Sequence, residues 1–139
     1  MLNYKKIKIK FKKSKRFFDK TGSLVPFYKK TSLKNFNIRR FFFVYGKKKY
    51  FRADHAHKKC NQILIPVAGK IEVFILNQKK IKKKFILSLE NNKYLFVPKK
   101  HWIRLKFLKE GSILLTLCDH KYDKKEYIQS IKKFLKNEM

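Results

Sequence analysis

The chain has 139 residues and a formal net charge of +29, with 44% hydrophobic and 16% aromatic residues. That length suits one domain, residues 1–139, able to bury a core without staples, and the apolar content excludes a disordered chain. Cys60 and Cys118 have no CxxC spacing and support neither a disulfide framework nor a zinc knuckle; two thiols in a reducing cytoplasm is the default. No apolar run reaches the ~18 residues of a membrane span. The basic N-terminus lacks the apolar core of a signal peptide. A soluble, cytoplasmic protein without membrane insertion is therefore expected. The charge itself has two readings, attraction to polyanions or compositional drift, and lysines strewn through every segment do not gather on one nucleic-acid-binding face.

In chain order, residues 4–12 alternate Ile7, Ile9 and Phe11 with lysines and predict a half-buried strand. Asp19 to Ser23 reads as a turn, Leu24 to Tyr28 as a short extended piece, and 31–40 as a loop. Arg40 to Tyr45 is β-branched or aromatic at nearly every position, and its Phe41-Phe42-Phe43 run suits a strand covered on two sides. Further strands are placed near 51–57, 60–66, 70–77, 81–89, 94–97, 102–108 and 112–119. Turns fall at Gly69-Lys70, Asn77 to Lys79 and Asn91-Asn92, and the lysine-rich run 79–84 reads as a solvated hairpin tip. From about Lys124 to Lys136, Tyr127, Ile128, Ile131, Phe134 and Leu135 share a helical face. Many short strands and one terminal helix predict an all-β jelly roll.

The chemistry concentrates in Arg52-Ala53-Asp54-His55-Ala56-His57-Lys58, followed by Gln62 and Gly69. Side chains two apart on a strand share a face, so His55 and His57 pair two of the four histidines. His-x-His, Gln62 and Gly69 resemble the first metal-binding motif of the cupins, but Gln62 stands where that motif has glutamate. Ile103 stands where the second motif, around Pro98 to Trp102, has histidine. A neutral amide is a poor ligand for a divalent cation, and Lys58, Lys59, Lys99, Lys100 and Arg104 would repel one. The histidines are read as acid/base groups, with no metal and no cofactor.

The run Arg52-x-x-His55-Ala56-His57-Lys58, with Gln62, Gly69, Pro98 to Trp102 and Tyr122-Asp123-x-x-x-Tyr127-Ile128, resembles the dTDP-sugar 3,4-ketoisomerases, the WxcM-like cupins, over residues 17 to 136. The resemblance implies a cupin-type jelly roll and a homodimer that exchanges N-terminal strands. It implies a metal-free site that moves the ketone of dTDP-4-keto-6-deoxyglucose from carbon 4 to carbon 3, giving a dTDP-3-keto-6-deoxyhexose. That product supplies 3-amino-3,6-dideoxy sugars for lipopolysaccharide or capsule. Departures are Ala53-Asp54 where many relatives have Gly-Phe, Ile103 where many have histidine, and the small Thr21 before a turn glycine. On a regular strand Asp54 faces away from the histidines, toward solvent or a partner.

An imidazole, with a free pKa of about 6.5, suits a base serving both carbons through an enediol. His55 is assigned as carbon acid/base and His57 as its partner for the oxygen-bound proton, the order being open. Tyr45 and His101 are candidate donors to the developing oxyanion. Arg52 suits the pyrophosphate, Lys58 adds a point charge, Gln62 lines the site, and Trp102 and Tyr122 are candidates for stacking on thymine. The alternatives are a nucleotide-sugar 3,5-epimerase-like cupin, whose characteristic histidine–aspartate spacing is missing, a metal-dependent dioxygenase-like cupin, and a non-enzymatic basic cupin that binds nucleic acid. The last has no helix-turn-helix or stacking motif to read a sequence, and no specific nucleic-acid partner is expected.

Overall fold

A computed structural model of the protein describes residues 9–137. In order the strands are β1 Lys10–Lys13, β2 Phe17–Asp19, β3 Gly22–Leu24, β4 Arg40–Tyr45, β5 Phe51–His57, β6 Gln62–Ala68, β7 Lys70–Asn77, β8 Lys82–Ser88, β9 Lys93–Val97, β10 His101–Phe107, β11 Ile113–Cys118 and β12 Tyr127–Ile128. The helix α1 spans Ile131–Leu135. One five-stranded sheet runs β1-β9-β6-β11-β4 and a second runs β12-β5-β10-β7-β8, all pairings antiparallel. The β2–β3 hairpin stands apart from both. This is the all-β jelly roll expected from the strand count, of the cupin type that the resemblance implies.

Three apolar layers explain why so many strands lack a polar face. Between the sheets lie Leu64, Ile71, Val73, Ile75, Leu87, Leu95, Val97, Ile103, Leu105, Phe107 and Leu114. On the outside of the first sheet, Ile63, Ile65, Tyr94 and Leu117 are covered by Phe27, Leu33 and Phe36 of the 25–39 connection. On the outside of the second sheet, Ala56, Leu76, Trp102 and Ile128 are covered by Phe134 of α1. Strand β6 is therefore buried on both faces over Gln62 to Pro66. Gly69 takes φ +73° in the turn that follows it, and a Cβ there would run into the side chain of Ser112.

Two expectations are corrected. Residues 24–28 do not begin a separate extended piece: Phe17–Asp19 and Gly22–Leu24 pair as a hairpin turning at Lys20-Thr21. The segment 124–136 is not one helix. It forms a 3₁₀ turn over Lys124–Glu126 capped by Asp123, then β12, then α1 capped by Ser130. The reason is the open edge of β5: Tyr127 pairs with His57 and Ile128 with Ala56, and the amide of Lys58 donates to the carbonyl of Glu126 at 2.8 Å. Unpaired strand amides outweigh helical spacing there. Of the strand expected over 4–12, residues 4–8 lie outside the described residues, and Lys10–Lys13 pairs with β9. No helix among the described residues is long and apolar enough to cross a membrane.

Candidate active site

A cavity of about 220 Å³ opens between the sheets, lined by Phe42 and Val44 of β4, Arg52, Ala53 and His55 of β5, Gln62 and Leu64 of β6, Ile103 and Leu105 of β10, Thr116 of β11 and Tyr127 of β12. Strand alternation selects the inward side chains. One irregularity changes the set. Pairing of β10 with β5 runs Ile103–His55 and then slips to Arg104–Ala53, leaving Asp54 as an unpaired bulge residue. A regular strand with His55 inward would turn Arg52 outward; the bulge brings both into the same cavity.

Behind His55 a hydrogen-bonded row runs into the protein. The Nε2 atoms of His55 and His57 are 3.2 Å apart. His57 Nδ1 is paired with the carboxylate of Glu126, and the two side chains are only 2% and 5% exposed. The second carboxylate oxygen of Glu126 accepts from the amides of Lys59 at 3.2 Å and Cys60 at 3.4 Å. Burial, reinforced by the neighbouring His57, pushes His55 down to about 4, so it stands unprotonated at neutral pH. Burial also lowers His57, against the opposing pull of Glu126. The Tyr127 ring lies 5.0 Å from the His55 ring and 4.5 Å from that of His57. Its hydroxyl accepts from the Arg40 guanidinium at 3.0 Å, and burial raises its pKa.

Beneath the cavity, Cys118 Sγ accepts from Arg40 and from the Gln62 amide, each at 3.6 Å. The neighbouring Cys60, with the Gln62 and Arg40 donors, draws the Cys118 thiol below its ordinary value, and proximity to Cys118 and burial raise Cys60.

The expected residues divide sharply. His55, Arg52 and Gln62 line the cavity, and His57 stands directly behind. Tyr45 does not join them: with Phe42 and Val44 inward, it points to the outer face beside Phe43 and is 70% exposed. Trp102 is 3% exposed in the layer under α1, its indole donating to Asp54 at 3.0 Å, so its ring cannot stack on a ligand base. His101 starts β10 with Nδ1 against the carbonyls of Pro98 and Lys99, outside the cavity lining. Neither Lys58 nor Tyr122 lines the cavity, although the Tyr122 ring is 5.7 Å from that of Tyr127. Thr21 sits on the exposed β2–β3 turn, bonded to Asp19. Glu126 behind His57, and Tyr127 in the cavity lining, were not anticipated. The signal available was the Glu-Tyr-Ile sequence, hidden by its helical spacing.

The site does not fit a cupin metal. Two of the four motif positions carry Gln62 and the apolar Ile103, and the Nε2 atoms of the two histidines are engaged with each other. A second group, His57, Cys60 and Glu126, has donor atoms within 4.8 Å of one another. Those donors are occupied by the His57–Glu126 pair, the two amides on Glu126, and the Cys60 thiol on the Asn61 carbonyl.

Comparison with known proteins agrees with this architecture. Residues 7–139 match the family described as FdtA: WxcM-like, C-terminal. The chain is 26% identical over 124 residues, 88% of its length and 86% of the relative's, to the TDP-4-oxo-6-deoxy-alpha-D-glucose-3,4-oxoisomerase of Aneurinibacillus thermoaerophilus. Among solved structures, it is 31% identical to WlaRA, the TDP-fucose-3,4-ketoisomerase of Campylobacter jejuni, with a TM-score of 0.81 over 93% of this chain and 94% of that one. A 3,4-ketoisomerase from Helicobacter canadensis gives a TM-score of 0.83 at 29% identity, covering 93% and 96% of the two chains. With its match extending over nearly the whole sequence, the chain belongs to the WxcM-like FdtA family.

Proposed function

We infer that this chain is an isomerase, a TDP-sugar 3,4-ketoisomerase that moves the ketone of TDP-4-keto-6-deoxyglucose from carbon 4 to carbon 3. The observation that carries the reading is the imidazole of His55 facing a largely apolar cavity with a buried His57–Glu126 pair behind it. His55 takes the proton from carbon 3, giving an enediolate, and returns a proton to carbon 4. The hydroxyl proton passes from the oxygen on carbon 3 to that on carbon 4. The positive charge gained by His55 is shared through the Nε2 contact with His57, where the Glu126 carboxylate balances it. An assignment of His57 to the oxygen-bound proton is disfavoured by its position behind His55, and Tyr127 takes over the donor role expected of Tyr45. Its hydroxyl is held by Arg40, and its ring lies 5.0 Å from that of His55.

Arg52 provides a planar fork for the pyrophosphate, and Lys58 adds to the local positive field. Gln62 holds the cavity floor through its bond to Cys118. His101 and Tyr122 remain candidates for the nucleotide end of the substrate. Epimerisation at two carbons would require acid/base groups on both ring faces, whereas among the described residues His55 is the one imidazole in the cavity lining. Proton NMR of TDP-4-keto-6-deoxyglucose with the protein and EDTA is expected to show a 3-keto sugar forming; unchanged substrate at high protein concentration would reject the reading.

A homodimer is part of the proposal. Edge strand β4 leaves Phe41, Phe43 and Tyr45 exposed in a row on its outer face, an apolar edge that a second copy would cover. Exchange of an N-terminal strand over 4–12 would add a second contact, at the opposite edge of that sheet, where Lys10–Lys13 lies on β9. A cytoplasmic location, where nucleotide sugars are available, completes it.

A further inference from the structure

The bulge in β5 is the feature on which the cavity depends, and its backbone does not favour it. Ala53 and Asp54 take φ of 65° and 59°, the left-handed region that side chains resist. Two such residues in succession require something to hold them.

The holding contacts come from the opposite face of β10. Asp54 Oδ1 accepts from Trp102 Nε1 at 3.0 Å and from Arg104 Nε at 2.9 Å, while Oδ2 accepts from the second guanidinium nitrogen at 3.1 Å. Trp102 is fixed in the layer under α1 against Phe134, with ring centroids 5.9 Å apart. Arg104 lies over the Phe51 ring at 5.1 Å, at the other end of the bulged segment. Ile103 and Leu105, the alternate residues of β10, line the cavity. One strand thus forms the cavity wall with one face and grips the bulge with the other.

We propose that Asp54 is a positioning residue whose carboxylate, bound to Trp102 and Arg104, clamps the β5 bulge and thereby sets Arg52 and His55 side by side in the cavity. It touches no cavity atom and acts through the backbone. The kinetic part of this inference rests on the ketoisomerase reading; the structural part does not.

Trp102 is the single tryptophan, so its indole N–H gives one resonance in a ¹⁵N-labelled sample. In the wild type this proton should exchange slowly with solvent. In Asp54→Ala it should exchange at least tenfold faster, and kcat should fall about 10- to 100-fold, the scale of a roughly 1 Å misplacement of a reacting group. Asp54→Gly relieves the left-handed strain without restoring the clamp. It should stay folded and remain as slow as Asp54→Ala, with Kd for TDP weakened because Arg52 is no longer held. Asp54→Asn keeps the Oδ1 acceptor and tolerates the left-handed backbone, and should recover most of kcat. If Asp54→Gly turns over like the wild type, or if indole exchange is the same in all variants, the clamp is not what positions the site. A wild-type protein without turnover would reject the ketoisomerase reading, while the exchange measurement would still decide whether the clamp exists.

Discussion

At the scale of single residues, the site works by stacking three groups in depth. His55 lines the cavity, His57 stands behind it against His55 and the Tyr127 ring, and Glu126 pairs with His57 in the protein interior. A buried imidazole next to a second imidazole resists protonation, which is what a base waiting for a carbon acid needs. The sign of the pH dependence follows. His55 must be neutral to act, and its pKa is displaced from the ordinary 6.5 to about 4. The acidic limb of kcat/KM, which reports the free enzyme, should therefore lie well below pH 6, with activity flat through neutrality and lost as pH falls through about 4. A limb centred near 6.5 would mean that His55 is not desolvated as described. The paired histidines were legible in the sequence because period-two alternation is a strict geometric rule. Glu126 was not, because a buried carboxylate is marked by its partner and the partner is 69 residues away.

Among the elements, β4, β5 and β12 decide the chemistry. Tyr45 was misassigned because β4 is aromatic on both faces, so polarity gives no hint of which parity points inward. Only pairing with β11, which places Phe42 opposite Thr116 of the cavity, settles that Phe42 and Val44 turn in. The C-terminal segment misled in a different way. Its spacing fits a helix, yet Tyr127 and Ile128 satisfy the edge of β5 and only Ile131–Leu135 is helical. The short helix still matters, because Phe134 is fully buried against Trp102, beneath the strand that carries the histidines. Phe134→Ala should lower stability by about 3–5 kcal/mol, as for other buried phenylalanines, visible as a lowered unfolding midpoint in denaturant. A change under 1 kcal/mol would show that α1 does not cover the sheet as described.

For the molecule as a whole, the all-β class, the positions of β4 to β11 and most turns could be read from alternation and turn residues. The bulge at Asp54 could not, since nothing local in Ala-Asp announces a left-handed pair. The +29 charge acquires a role in this account without any nucleic acid. A TDP-sugar carries its negative charge on the pyrophosphate, and a strongly basic surface accelerates its encounter over distances comparable with the Debye length, about 8 Å at physiological salt. Raising ionic strength should thus lower kcat/KM severalfold while leaving kcat unchanged. If kcat/KM does not respond to salt, the excess charge does not contribute to substrate capture.

The central claim is that the ketone moves by proton transfer through His55, and the most direct measurement is isomerisation of TDP-4-keto-6-deoxyglucose in deuterated buffer, followed by NMR, with the wild type and His55→Asn side by side. The account predicts a 3-keto product bearing deuterium at carbon 4 from the wild type, and a loss of at least about a hundredfold in rate for His55→Asn, the order expected of general acid–base catalysis. Failure of the wild type to form a 3-keto product, or a His55→Asn variant as fast as the wild type, would contradict it.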